Sequence, residues 1–251
     1  KRGSGAKEML FMGKYQKLAQ MITGSSNLVV FTGAGMSTES GLPDFRSDRG
    51  IWKGADPVLL ASVEAMERSK EEFFEFYRTR IRALMGVSPN EGHKILGAWE
   101  KRGILKGIIT QNVDGLHQRA GSERVAELHG NLREVSCRKC SSTFPNTLFL
   151  EGEKCPRCGG GLRPSVVLFG EMLPMEALRE AQDMTDACDL FMVLGSSLQV
   201  SPANWFPREA RSRGAGLVIV NMMETPLDGM ADLVFHEPIG QVLKGVDECL
   251  G

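Results

Sequence analysis

Short apolar runs that end in glycine or polar residues constrain the fold of this chain more than any other feature. One run covers residues 27–31 and leads directly into the sequence Thr-Gly-Ala-Gly-Met-Ser. Helix-like stretches separate it from similar runs further along the chain. The runs are 107–110, 189–195, 216–221 and a weaker 231–235, and the helix-like stretches include 91–102, 175–187 and 203–213. Apolar strands that alternate with helices predict an α/β fold with a Rossmann-like parallel sheet and helices on both faces.

The polar and glycine-rich clusters of the chain directly follow these predicted strands. In parallel sheets ligands bind beyond the carboxyl ends of the strands, so these clusters are candidates for a binding site. Gly33 and Gly35 permit a tight turn and a close approach of backbone N–H groups to a phosphate. Each cluster taken alone is also compatible with a plain turn. The clusters are 33–37, 110–117, 195–202 and Asn221.

Two stretches interrupt the alternation and predict a second, smaller domain. Residues 49–85 are rich in aromatic and charged side chains, with Phe73, Phe74, Phe76 and Tyr77 on a predicted helix. Residues 134–163 contain four of the six cysteines. We therefore predict a large Rossmann-like α/β domain formed by three segments and a small domain formed by the two insertions. The large domain comprises 1–48, 86–133 and 164–251, and the small one comprises 49–85 and 134–163.

Four cysteines form two Cys-x-x-Cys pairs, which are separated by residues 141–154. Each tight turn aims two thiolates at one point, and two such turns complete a tetrahedron around Zn²⁺. The alternative, a redox dithiol, normally uses one such motif. With four thiolate ligands the metal has no open position, so we expect one structural zinc ion. The ligands are Cys137, Cys140, Cys155 and Cys158.

Composition limits the classes of partner. Thirty Lys and Arg residues against 31 Asp and Glu give a net charge of −1, which argues against nucleic-acid binding driven by bulk charge and against polybasic membrane attachment. We see no apolar run that approaches the ~20 residues of a membrane span. The absence of a visible targeting segment, together with cysteines that we expect to be reduced, predicts a cytoplasmic location. We expect a monomer.

His129 is a candidate general base. It follows the stretch 125–128 and precedes Gly130, and a histidine titrates near neutral pH. A lone histidine is more often structural, and that reading applies still more to His93, His117 and His236. Arg46 could pair with a pyrophosphate.

Taken together and in order, these clusters resemble the sirtuins, the NAD-dependent protein lysine deacylases. The matching segments cover roughly residues 25–245. They are 33–37, 41–46, 110–114, His129 with Gly130, the four cysteines, 167–171, 195–197 and Asn221.

The resemblance implies a role for each segment. NAD would be bound by the polar and glycine-rich loops. Phe45 would lie over the reacting ribose carbon, and the loop with Gln111, Asn112 and Asp114 would surround nicotinamide. The implied NAD-binding residues are Gly33, Ala34, Gly35, Ser37, Asp44, Phe45, Arg46, Gln111, Asn112, Val113, Asp114, Gly195, Ser196, Ser197, Asn221 and Ile239. An extended acyl-lysine peptide would be bound as an added strand by Val167, Phe169, Gly170, Glu171, Leu198 and Val200.

The resemblance also implies the reaction. The acyl oxygen attacks C1′ of the nicotinamide ribose, nicotinamide departs, and His129 then takes a proton from the ribose diol. Asn112 and Asp114 assist as further catalytic residues. The products are deacylated lysine, nicotinamide and O-acyl-ADP-ribose, so NAD is consumed.

Tyr77 and Arg80 bear on the choice of acyl group. They form a Tyr-x-x-Arg pair similar to that of sirtuins that prefer malonyl or succinyl groups, because these side chains bind a carboxylate. Asp44, however, matches the deacetylases. The alternative is that Tyr77 is packed and Arg80 solvated. We therefore predict deacetylation with a minor activity on acidic acyl groups.

Two other functions remain open at this point. The same pocket could serve an NAD glycohydrolase or an ADP-ribosyltransferase, although the peptide segment 167–171 argues against it. A non-enzymatic NAD-sensing module with a zinc ribbon is the third reading, and the presence of both Asn112 and His129 argues against that.

Overall fold

The computed structural model describes residues 4–44 and 59–251, with the backbone alone for residues 4–12. Its strands are β1 Leu28–Thr32, β2 Leu105–Thr110, β3 Val125–Glu127, β4 Gly130–Cys137, β5 Thr143–Pro145, β6 Leu162–Val166, β7 Leu190–Leu194, β8 Gly216–Val220 and β9 Leu233–Phe235. Its helices are α1 Ser4–Gly24, α2 Gly35–Thr38, α3 Val63–Arg68, α4 Lys70–Met85, α5 Glu91–Lys101, α6 Leu116–Arg119, α7 Thr147–Glu151, α8 Met175–Ala187, α9 Trp205–Ser212 and α10 Ile239–Leu250.

Six of the strands form one parallel sheet in the order β3-β2-β1-β7-β8-β9. The chain leaves β1 towards β2 on one side and later returns to β7 on the other. The connection from β1 to β2 packs α5 on one face of the sheet, and the connection from β7 to β8 packs α9 on the other face. Ligands of such folds bind in the crevice at this point of the carboxyl edge. The predicted Rossmann-like sheet is confirmed. β3 was not predicted as a strand, because three residues are too few to show a periodic pattern.

Both faces of the sheet are covered, as the uninterrupted apolar runs require. All five residues of β1 are buried. Leu28 and Val30 point into a core formed with α1, α5 and α10, whereas Val29 and Phe31 point into a second core formed with α8 and α9. Because successive side chains of a strand alternate in direction, one strand supplies both cores.

A third core lies away from the parallel sheet. It joins α3, α4 and α7 to the antiparallel sheet β5-β4-β6, with Phe73, Tyr77 and Phe149 fully buried. This sheet covers residues 130–166 and so extends a few residues beyond the predicted insertion 134–163. We retain the two-domain division as a proposal. Within the described residues, no helix is both long and apolar enough to cross a membrane.

Candidate active site

Backbone hydrogen bonds join the ends of three parallel strands, β1, β7 and β8, at the carboxyl edge of the sheet. Gly33 N–H donates to the Leu194 carbonyl at 3.0 Å, and Gly35 N–H donates to the Gly195 carbonyl at 2.8 Å. Gly195 N–H in turn donates to the Val220 carbonyl at 2.9 Å. The predicted clusters therefore meet at one edge, as their positions after the strands indicated.

The two glycines of the first loop are required by close packing. A Cβ atom at Gly33 would lie 2.8 Å from the Gly195 carbonyl oxygen, and one at Gly35 would lie 2.7 Å from Gly195 Cα. Any larger residue would separate the loops that follow β1 and β7. Since both N–H groups donate to the neighbouring loop, the glycines shape the crevice, and binding of a phosphate by this loop remains a proposal.

A polar network lies at the floor of the crevice. Ser37 Oγ donates to Asp114 Oδ2 at 2.7 Å, and Asn112 Nδ2 donates to the Gly33 carbonyl at 2.9 Å. Asp114 Oδ1 accepts the Leu116 N–H at 2.9 Å. Burial raises the pKa of Asp114, and the bonds from Leu116 and Ser37 oppose part of that rise. The network holds these side chains of two loops in one fixed arrangement.

His129 lies at the corner between β3 and β4 with a defined ring orientation. Its Nδ1 is 3.1 Å from the carbonyl oxygen of Gln111. A carbonyl only accepts, so Nδ1 carries the proton and Nε2 keeps its lone pair. Burial lowers the pKa of His129, so the imidazole is neutral at neutral pH. The arrangement suits a general base, which needs an unprotonated nitrogen.

Beneath the crevice lies a buried network that the sequence did not predict. The Thr32 hydroxyl donates to Thr110 Oγ1 at 2.7 Å and lies 3.0 Å from His117 Nε2. The His117 ring is 4.8 Å from that of His93 between ring centroids. Burial lowers the pKa of both histidines, that of His93 to about 4. The only sequence signal for this network was that two strands, which pair in the structure, both end in a threonine, Thr32 and Thr110.

The crevice opens into a cleft of about 920 Å³ that runs from the parallel sheet to α4. Most predicted NAD and peptide residues line it. Leu198 and Ile239 do not, because their side chains pack into the second and first cores. Phe45 and Arg46 lie outside the described residues. The predicted residues that line the cleft are Gly33, Ala34, Gly35, Ser37, Asp44, Tyr77, Arg80, Gln111, Asn112, Val113, Asp114, His129, Val167, Phe169, Gly170, Glu171, Gly195, Ser196, Ser197, Val200 and Asn221.

Tyr77 and Arg80 lie at the α4 end of this cleft. Tyr77 is almost fully buried, and burial raises its pKa to about 12. Arg80 as a residue is half-buried, and its guanidinium lies over the rings of Phe76 and Tyr77, at 5.5 and 5.7 Å from the ring centroids. Tyr77 is thus packed, as one alternative held, but Arg80 faces the cleft and not bulk solvent.

The predicted peptide segment is fixed on the other side of the cleft. Val167 N–H donates to the His129 carbonyl at 2.9 Å. Glu171 accepts the Leu168 N–H and an Arg163 N–H, both at 2.8 Å. The Glu171 carboxylate therefore holds the segment in place, while Phe169 remains exposed.

The four predicted metal ligands are close together. The Sγ atoms of Cys137, Cys140, Cys155 and Cys158 all lie within 4.8 Å of one another, and the Cys140–Cys155 pair is 3.8 Å apart. A zinc–sulfur bond of about 2.3 Å places the sulfur atoms of a tetrahedral site about 3.8 Å apart, so this donor set fits Zn²⁺. A Cβ at Gly160 would lie 3.0 Å from Cys137 Sγ, which explains the glycine there.

Comparison with known proteins agrees with this geometry. The model of the Sir2 family matches residues 33–202, which is more than half of the chain. The chain belongs to the Sir2 family. The sirtuin resemblance found in the sequence is thereby confirmed.

Curated relatives of this Sir2-family chain match over nearly their whole length. NAD-dependent protein deacetylase 1 of Geobacillus kaustophilus is 53% identical over 235 residues, which is 93% of this chain and 97% of that protein. The NAD-dependent protein deacetylase of Saccharolobus solfataricus is 47% identical over 231 residues, 90% of this chain and 92% of that protein.

Solved structures agree as well. A Sir2 variant with a deacetylated p53 peptide and 3′-O-acetyl-ADP-ribose has a TM-score of 0.88 and 38% identity, and covers 94% of this chain and 98% of that one. A Sir2 structure with a p53 peptide and NAD⁺ has a TM-score of 0.84 and 37% identity, and the match covers 92% of this chain and 96% of that one.

Proposed function

We propose that this Sir2-family chain is an NAD-dependent protein-lysine deacetylase that releases nicotinamide and O-acetyl-ADP-ribose. The observation that carries the proposal is the His129 imidazole. Gln111 orients its ring, burial keeps it neutral, and it lies in the same cleft as Asn112 and Asp114. Relatives that match nearly the whole chain are NAD-dependent protein deacetylases, so the enzyme class predicted from the sequence is confirmed.

The residues fit NAD as a co-substrate. NAD supplies an electrophilic ribose carbon and a ribose diol that accepts the acetyl group. Ser37, Asn112 and Asp114 present a hydroxyl, an amide and a carboxylate at the floor of the crevice, a donor set that suits ribose hydroxyls and a carboxamide. His129 Nε2 takes a proton from the diol. The backbone between β1 and α2, with Gly195, Ser196 and Asn221, is proposed to bind the rest of the dinucleotide.

The substrate is proposed to be an acetylated lysine in an extended peptide. The segment 167–171 lines the cleft beside His129, and the segment with Val200 lines it as well. A peptide added between them as a strand would direct its lysine towards His129. The side chain of Leu198 packs into the core, so a contact with the peptide there would use its backbone.

The decisive experiment is mass spectrometry of reactions with acetyl-lysine and succinyl-lysine peptides, each with and without NAD. We expect NAD-dependent loss of the acetyl group, formation of O-acetyl-ADP-ribose, and slower turnover of the succinyl peptide through Arg80. His129→Ala should lose the reaction. His236→Gln is the matched control, because His236 is an exposed histidine outside the cleft and a glutamine side chain can still donate to the Asn221 carbonyl.

The outcomes separate the other functions. Free ADP-ribose or ADP-ribosylated protein as the main product would contradict deacetylation and favour a glycohydrolase or transferase. Binding of NAD without turnover of either peptide would favour a sensing module. Succinyl turnover at or above acetyl turnover would reverse the proposed acyl preference. A monomeric state, a cytoplasmic location and the absence of nucleic-acid binding remain proposals.

A further inference from the structure

The corner that carries His129 is closed by an ion pair. Glu127 is the last residue of β3, and Arg133 lies in β4, so the pair spans the turn with His129 between its partners. Arg133 Nη1 and Nη2 each donate to one carboxylate oxygen of Glu127 at 2.7 Å. Two parallel hydrogen bonds from a planar guanidinium fix both the distance and the orientation of the partners.

The same arginine lies against the neighbouring loop. A Cβ atom on Gly115 would be 2.8 Å from Arg133 Cδ and 2.6 Å from its Nη1, so the side chain covers this glycine directly. Gly115 has φ of +70° and follows Asp114, which accepts the Ser37 hydroxyl. Arg133 therefore contacts the turn that holds Asp114 while it is bonded to the corner that holds His129.

Further contacts along this corner are backbone hydrogen bonds. Leu132 N–H donates to the Val113 carbonyl at 2.8 Å, and Leu128 N–H donates to the Thr110 carbonyl at 2.9 Å. These bonds fix the backbone on either side of His129. The Glu127–Arg133 pair is the charged side-chain link, and the Glu127 side chain is only 16% exposed. A partly buried, bidentate pair holds its geometry better than an exposed one.

We propose that Glu127 and Arg133 are positioning residues for the deacetylation: their ion pair sets the corner of His129 against the turn of Asp114. The inference rests on the proposed function for its kinetic consequence. Neither residue lines the cleft, so their effect acts through His129 and Asp114. A displacement of a catalytic group by about 1 Å is sufficient to slow an enzyme about 100-fold.

The chain offers a matched control for loss of an ion pair. Arg211 and Asp232 form another bidentate pair, with bonds of 2.9 and 3.0 Å and side chains about one-third exposed. Asp232 also accepts the Leu217 N–H, near the start of β8. This pair lies at the amino edge of the parallel sheet, opposite the cleft. Arg211→Met therefore reports the effect of losing such a pair without touching the site.

The kinetic test compares Arg133→Met, Arg133→Lys, Glu127→Gln and Arg211→Met with the wild type. We expect Arg133→Met to lower kcat about 10- to 100-fold, with a fall in Tm similar to that of Arg211→Met and unchanged ADP-ribose affinity. Arg133→Lys should restore part of kcat, because lysine keeps the positive charge but cannot donate the two parallel hydrogen bonds of the guanidinium. Because the two residues act as one unit, the Glu127→Gln/Arg133→Met double variant should lose no more than the worse single variant.

The second measurement needs no turnover. ¹⁵N NMR of the histidine side chains reports the tautomer of His129, and Arg133→Met should shift this signal whereas Arg211→Met should not. Wild-type kcat in Arg133→Met, additive losses in the double variant, or an unshifted His129 signal would each overturn the inference. A wild-type enzyme without deacetylase activity would refute the proposed function, and the NMR comparison would still decide the inference.

Discussion

At the scale of single residues, the proposed role of His129 as general base makes the reaction depend on its protonation state. Its pKa is lowered because burial disfavours the imidazolium. The base works only when neutral, so activity should persist as the pH falls to values at which an ordinary histidine, with a pKa of about 6.5, is half protonated. We expect the acid limb of kcat/KM to lie below that value. A pH profile measured with the acetyl peptide checks this.

The control for this profile is His236→Gln, since His236 is exposed and lies outside the cleft. It should leave the acid limb in place. An acid limb centred above the pKa of a free imidazole would contradict a buried, neutral His129.

At the scale of elements, strands β4 and β6 link the zinc cysteines to the active site. β4 begins at Gly130, directly after His129, and ends at Cys137, the first cysteine. We therefore expect binding of zinc to be coupled to folding of the antiparallel sheet and, through β4, to the position of His129. We expect Cys155→Ser to lose the ~1 equivalent of zinc expected for a four-cysteine site. Hydrogen exchange should then rise in 130–166 but not in β1 and β7.

Cys249→Ser is the control for this variant, because Cys249 is exposed and lies in α10, far from the cysteine cluster along the chain. Unchanged protection of β4 and β6 in a metal-free protein would refute the structural role of zinc.

At the scale of the whole molecule, the buried His93–His117 pair makes stability depend on pH. The folded protein binds a proton at His93 only near pH 4, whereas the unfolded chain does so near pH 6.5. The unfolded state therefore holds more protons between these values, and the free energy of unfolding falls as the pH falls. The titration of His93 alone should lower the free energy of unfolding by roughly 3 kcal/mol at pH 4 relative to neutral pH. Urea denaturation at a series of pH values measures the slope.

His93→Gln isolates this contribution, since the variant lacks the titrating group and should show a shallower slope. The slopes of the two proteins must be compared because Asp114 also contributes to the pH dependence. Its pKa is raised in the folded protein, so its protonation favours the folded state and opposes the effect of His93. Equal slopes in the wild type and His93→Gln would refute the assignment to His93.

The chemistry of the site could be predicted to a large extent from local patterns. The four cysteines are predicted by spacing alone, because each pair lies within one tight turn. Gly33 and His129 were found because they directly follow strands or strand-like runs, and the carboxyl ends of parallel strands share one edge. The Thr32–His117 network and the Glu127–Arg133 pair were missed, because nothing near them in the sequence signals their partners.

By itself, therefore, the sequence determined the fold class, the clustering of the four cysteines and the family, all of which depend on short-range periodicity and on motifs in a given order. Only the tertiary structure decided how the motifs act on one another. It placed Gly33 against Gly195, Ser37 against Asp114 and Arg133 over Gly115. The physical reason is that such contacts join residues that are distant in the chain, and they form only when the packing of two cores brings the loops of neighbouring strands to one edge.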